Sequence, residues 1–221
     1  MTSALSYYRA NQHGNVSSLY QPYRYVSART RLPNQVLPLR QYRAPNARRR
    51  HKVWGWVIYR SDYNNEDDWQ EFLPRLRVCI EKTLSRRGGL DMLPSLNYRV
   101  FEDRTLFDGV DAATIREHFR VWAATASEQE QGECKGPARS QRYQFCIQVD
   151  AEALHSVIHE APPPEARRDV KHKGWVKLIW KVWEPAADDV MENSEDQPID
   201  GIALNDVGWC RMTYSTFIPS L

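Results

Sequence analysis

The sequence predicts an α+β fold of ferredoxin-like type. This is a βαββαβ sandwich with an inserted helix and an extra C-terminal strand, preceded by an extended or disordered N-terminal arm. Three observations lead there. All eight tryptophans lie beyond residue 53. Apolar residues from that point recur alternately at a spacing of two and at helical spacing. Residues 1–52 show neither period and carry Pro22, Pro33, Pro38 and Pro45. The chain therefore divides into an arm, 1–52, and a single domain, 53–221, of roughly 165 residues, enough for one hydrophobic core. The body is expected to fold without the arm.

The body opens with VWGWVIY, Val53 to Tyr59, a β-branched and aromatic run between charged and polar flanks that predicts a central strand. Trp69, Phe72, Leu73, Leu76, Ile80 and Leu84 then recur at helical spacing. Glu66, Asp67 and Asp68 precede them, while Arg86, Arg87 and Gly88-Gly89 close the run, a charge order that suits the helix dipole. Pro74 predicts a kink, or a start near Glu71. Asn97 to Glu102 reads as a second strand. Asp111 is placed to cap the inserted helix, which buries Ile115, Phe119 and Trp122.

Residues 127–140 are polar, contain Gly132, Gly136 and Pro137, and read as a loop. Arg142 to Val149 alternates cleanly and predicts a strand with one buried face. Asp150 then caps a short helix carrying Leu154, Val157 and Ile158, stopped by Pro162, Pro163 and Pro164. Gly174 to Trp183 predicts a long strand. Val176, Leu178, Trp180 and Val182 share one side of it, and Trp175, Lys177, Ile179, Lys181 and Trp183 the other. The segment 184–206 holds eight acids and no base and reads as a solvated acidic loop, after which Val207 to Ser215 supplies the last strand.

Charge is segregated along the chain. Of 30 Lys and Arg, eleven fall in the first 61 residues, which contain no acid; the other 19 face all 28 Asp and Glu, leaving the remainder at −9. Such asymmetry points to a basic arm that addresses an anionic partner or an import machinery. Within the arm, Arg24, Arg29, Arg31, Arg40, Arg43, Arg48, Arg49, Arg50 and Lys52 are interleaved with Tyr23, Tyr25 and Tyr42. Arginine pairs with phosphate and tyrosine stacks on unpaired bases, so the mixture suits single-stranded nucleic acid or an RNA surface; an acidic protein is the other anionic partner. Competing readings are a mitochondrial presequence, a nuclear import signal at Arg48 to Lys52, and an arm laid on the acidic loop of its own body.

The blocks GWVIYRSDY, FCIQVDAEALHSV, GWVKLIWKVWEP and DVGWCRM together resemble a group of fungal proteins labelled uncharacterised. The resemblance covers most of residues 53–221. It implies a fungal, single-domain protein and brings no catalytic residues.

His155 and His159 stand four apart with Glu152 one turn earlier, but they lie off the buried stripe, and no metal site is expected. Cys79, Cys134, Cys146 and Cys210 are widely spaced, which predicts reduced thiols; Cys146, mid-strand, reads as buried and inert. The chain lacks a phosphate-binding glycine loop, a GxSxG elbow, an HExxH helix and a dinucleotide fingerprint, so no catalytic residue and no cofactor is assigned. There is no run of about 18 apolar residues and no apolar signal core, so membrane insertion and secretion are not expected and the nucleus or mitochondrion is the candidate compartment. The reading is a non-enzymatic intracellular binding protein whose body also offers a protein-contact surface. Its rival is a small enzyme with a pocket on an open sheet face lined by Trp175, Lys177 and Trp183, and Lys181 extends that face.

Overall fold

The computed structural model describes residues 52–132, 140–184 and 207–216. Five strands form one open sheet in the order β2-β1-β3-β4-β5: β1 (Val57–Arg60), β2 (Arg99–Phe101), β3 (Phe145–Val149), β4 (Trp175–Trp180) and β5 (Trp209–Thr213). Strands β2 and β3 flank β1 and run parallel to it, while β4 and β5 add antiparallel neighbours. The mixed helix-and-sheet class expected from the sequence is present. The βαββαβ topology is not.

The difference lies in one helix. After β1 comes α1 (Glu66–Arg86); after β2 come the short α2 (Arg104–Phe107) and the long α3 (Ala112–Gln131), followed by α4 (Gln141–Gln144) and β3. Helix α3, expected as an insertion, is the crossover from β2 to β3. It packs on the opposite side of the sheet from α1. Its Ala112, Ile115, Phe119 and Ala123 meet Val57 and Tyr59 of β1, Cys146 of β3 and Ile179 of β4. On the first side, Trp69, Phe72 and Leu76 of α1 join Ile58, Ile147, Val149, Val176 and Leu178. With them pack Leu154 of α5 (Ala151–His155) and Val157 and Ile158 of the wide turn that continues it to Glu160. All five residues of β3 are buried, so its expected polar face is also interior.

Local signals set the helix starts. Asn65 accepts from the Asp68 amide at 3.1 Å, Asp111 from the Thr114 amide at 2.8 Å and Asp150 from the Ala153 amide at 2.9 Å. Pro74 lies inside α1 without ending it, and the helix begins at Glu66 rather than Glu71. A mid-helix proline costs about 3 kcal/mol. Burying Trp69, Phe72, Leu76, Ile80 and Leu84 to 2% exposure or less, at about 1.5–3 kcal/mol each, outweighs that penalty. Helix α3 likewise runs on to Gln131, into the stretch read as loop. The strands are shorter than expected because the chain leaves the sheet at Trp56 and after Trp180.

The entry to β1 is tight. Trp54 bridges to Leu96, and Gly55 adopts φ +119°, where a Cβ would lie 2.6 Å from the Asn97 carbonyl oxygen. Arg142 sits behind this entry at 3% exposure. Its guanidinium donates to Glu130 at 2.6 and 2.7 Å and to the carbonyls of Asn97 and Gly55 at 2.7 and 3.2 Å. Burial pushes the Glu130 carboxyl up, but the Arg142 and Tyr143 hydrogen bonds outweigh it and hold the group below its ordinary value.

Two outcomes follow. Trp56 is 5% exposed in the α1-side core, so Trp56→Ala is expected to cost about 3–5 kcal/mol in denaturant unfolding; a loss under about 1 kcal/mol would place its ring in solvent. Because Glu130 releases its proton more readily folded than unfolded, its contribution is complete above the ordinary value of 4.5 and is lost as pH falls through the lower folded value. Glu130→Gln is therefore expected to be less stable than the parent near neutrality, with a gap that narrows on acidification. Unfolding curves at several pH values check this, and a gap that does not change with pH contradicts it.

Candidate functional site

Among the arm residues singled out above, Arg24, Arg29, Arg31, Arg40, Arg43, Arg48, Arg49, Arg50, Tyr23, Tyr25 and Tyr42 lie outside the described residues. The acidic loop does too, apart from Glu184. Lys52 is described and exposed. Its amide donates to Gln131 Oε1 at 2.8 Å, and Gln131 Nε2 donates to the Val53 carbonyl at 2.7 Å. The arm thus joins the body beside the C-terminal end of α3.

The expected aromatic-basic sheet surface does not assemble. Trp175 and Lys177 share a face of β4 but are 8% and 7% exposed. Strand β4 ends at Trp180, so Lys181 and Trp183 leave the alternation. The Lys181 amide donates to the Gln144 carbonyl at 3.0 Å, and burial lowers its side-chain pKa. The Trp183 ring lies 4.5 Å from the Arg116 guanidinium, and its carbonyl accepts from Arg120 at 3.0 Å. Helix α3 draws this segment under itself.

In place of that surface, β4 and β5 build a cation-aromatic lattice. Lys177 pairs with Arg211, and Ile179 with Trp209, across the antiparallel ladder. Its diagonals bring Lys177 Nζ to 4.4 Å from the Trp209 ring and the Arg211 guanidinium to 3.9 Å from the Trp175 ring. Asp150 holds Lys177 at 3.0 Å, and Glu152 holds Arg211 at 3.4 Å. Sequence reading missed Trp209, Arg211 and Asp150 as parts of this lattice. The available signal was the alternation of Trp209, Arg211 and Thr213 in the last strand.

The crevice beyond the C-terminal ends of β1 and β3, where the strand order reverses, is the usual ligand position in an open parallel sheet. Here it is filled by protein contacts. Gln148, 2% exposed, donates from Nε2 to Ser61 Oγ at 3.0 Å and to the Val110 carbonyl at 2.9 Å. The Tyr59 hydroxyl meets His118 Nδ1 at 2.8 Å, and burial lowers the His118 pKa. Cys146 lies between Val57 and Ile179 in the α3-side core, where burial pushes its thiol well above the ordinary range. His159 Nε2 meets Asp68 Oδ2 at 2.7 Å, with the His155 ring 4.9 Å from its own. Among the described residues, no group of three or more His, Cys, Asp or Glu has metal-binding geometry, and no helix is long and apolar enough to cross a membrane.

The lattice makes a stability prediction. Asp150→Ala removes both the α5 cap and a carboxylate partner of a buried ammonium, so a loss of at least about 3 kcal/mol is expected. Adding Lys177→Met should recover the part due to the ammonium. Denaturant unfolding of the two single variants and the double variant measures the coupling; strict additivity would show that the ion pair carries none of the loss.

No protein-family model matches the chain, and no curated protein or solved structure matches it significantly.

Proposed function

We propose that this chain is a binding protein whose basic, tyrosine-bearing arm engages single-stranded RNA. One observation carries the reading: eleven cations and no acid in residues 1–61, joined to a remainder of net charge −9. A body of that sign repels a phosphate chain, so contact is concentrated on the arm. Arginine-phosphate contacts supply affinity without sequence preference, and the six arm tyrosines, Tyr7, Tyr8, Tyr20, Tyr23, Tyr25 and Tyr42, add stacking that salt does not screen. The geometry of the body supports this assignment, because Lys177, Cys146 and His118 are engaged in packing and pairing rather than presented to a substrate.

The test is a fluorescence titration of labelled single-stranded RNA at several salt concentrations. If about six arm cations neutralise phosphates, replacing Arg40, Arg43, Arg48, Arg49, Arg50 and Lys52 with Gln is expected to flatten the log affinity against log salt plot by about 4. Replacing the six tyrosines with alanine is expected to weaken binding while leaving that slope nearly unchanged. Equal affinity and slope for parent and arginine-depleted chains would contradict the reading.

A further inference from the structure

The loop that brings the chain from the α5 turn to β4 carries a second concentration of positive charge, in the sequence Arg167-Arg168-Asp169-Val170-Lys171-His172-Lys173. Six of these seven residues are exposed. The exception is Asp169, 2% exposed, whose Oδ2 accepts from the Gly174 amide at 2.9 Å. The one acid of the stretch is thereby turned into the protein. The four cations face outward without it.

These cations differ from the arginines that hold the fold together. Arg60, Arg75, Arg116, Arg120 and Arg142 all reach backbone carbonyls or carboxylates. Arg167, Arg168, Lys171 and Lys173 have no side-chain hydrogen bond or ion pair among the described residues. The backbone beneath them is nevertheless tied down. Lys82 Nζ donates to the carbonyls of Pro164 and Glu165 at 2.6 and 3.2 Å, the Ala166 amide to the Pro163 carbonyl at 3.0 Å, and the Val170 amide to the Arg168 carbonyl at 3.0 Å. The loop is a fixed support for side chains that the body does not use.

We infer that residues 167–173 form a phosphate-contacting surface on the body that holds the same RNA strand as the arm. The inference rests on the RNA-binding reading above. Charge complementarity selects the occupant. Four free cations within seven residues match a repeating polyanion, while the patch has no Phe, Tyr or Trp and only Val170 as an apolar side chain, so it lacks the large anchor a protein interface is built around. Contacts of this kind position a strand without reading its bases.

The experiment uses the full chain in three forms: parent, loop variant (Arg167→Gln, Arg168→Gln, Lys171→Gln, Lys173→Gln) and the arm variant described above. Each is titrated with labelled single-stranded RNA and with polyglutamate across salt, and thermal melts confirm that the loop variant is folded. The loop variant is expected to bind RNA more weakly, with a log-log salt slope flatter by about 3, as neutralising four phosphate contacts on a single strand requires. Parent-like RNA binding by the loop variant, with the arm variant weakened, overturns this inference and leaves the arm reading intact. A weakened loop variant with a parent-like arm variant overturns the arm reading and, with it, the inference that loop and arm hold one strand. Absence of RNA binding by the parent overturns both, and polyglutamate binding as tight as RNA binding overturns the choice of occupant.

Discussion

Helix α3 is held to the sheet by arginine side chains at both of its ends, and burial of the second sheet face depends on that attachment. Near its start, Arg116 donates to the carbonyls of Trp180, Val207 and Gly208 at 3.0–3.1 Å. One turn on, Arg120 reaches the Lys181 carbonyl at 2.7 Å. Near its end, Glu130 holds Arg142 against the Gly55 and Asn97 carbonyls. Each site lies at or just outside the end of a strand, where a buried carbonyl left without a hydrogen bond would cost about 1–3 kcal/mol; the Gly208 carbonyl also accepts from the Trp180 amide at 3.1 Å. The guanidinium fork satisfies several such carbonyls at once, which an ammonium does less well. Gly208 belongs to the same device: at φ +69° it leaves room for Trp183 and Arg116, where a Cβ would collide with both.

From this attachment follows the partition of the core. The two sides of β1 and β3 are shielded by α1 with α5 and by α3, so the central strands carry almost no polar surface. Of the polar strand residues that lie inside, Arg60 and Lys177 are bonded to neighbouring groups, and Gln148 donates from Nε2 to Ser61 and the Val110 carbonyl. Positive charge is used inside the body to close backbone gaps. Where it is not so used, in the loop at 167–173, it lies free on the surface. That contrast gives the body a local basic site, and with a screening length of about 8 Å at physiological salt the four loop cations act on what touches them.

Local features of this architecture were legible in the sequence. The caps at Asp111 and Asp150, the buried stripe of α1 and the central place of the first strand follow from contacts within a few residues, and they stand as expected. The partner of each face was not legible. Strand β3 alternates Phe145, Ile147 and Val149 with Cys146 and Gln148, which reads as one wet side until α3 is known to lie across it. The βαββαβ assignment failed for the same reason, since it treated α3 as an insertion. Trp183 and Lys181 were carried onto a strand that ends at Trp180, because Arg116 and Arg120 pull the chain away from the sheet. The basic run at 167–173 drew no reading from the sequence, because the inward turn of Asp169 that unmasks it appears only in the fold.

The proposal places RNA contacts on two separated basic segments, the arm and the 167–173 loop. Photocrosslinking of the full-length protein to single-stranded RNA carrying 4-thiouridine, followed by mapping of the modified peptides, tests that claim most directly. The account predicts crosslinks within residues 20–52 and 165–173. Crosslinks confined to the Trp175 and Trp209 lattice, or to the crevice around Ser61 and Gln148, would contradict it.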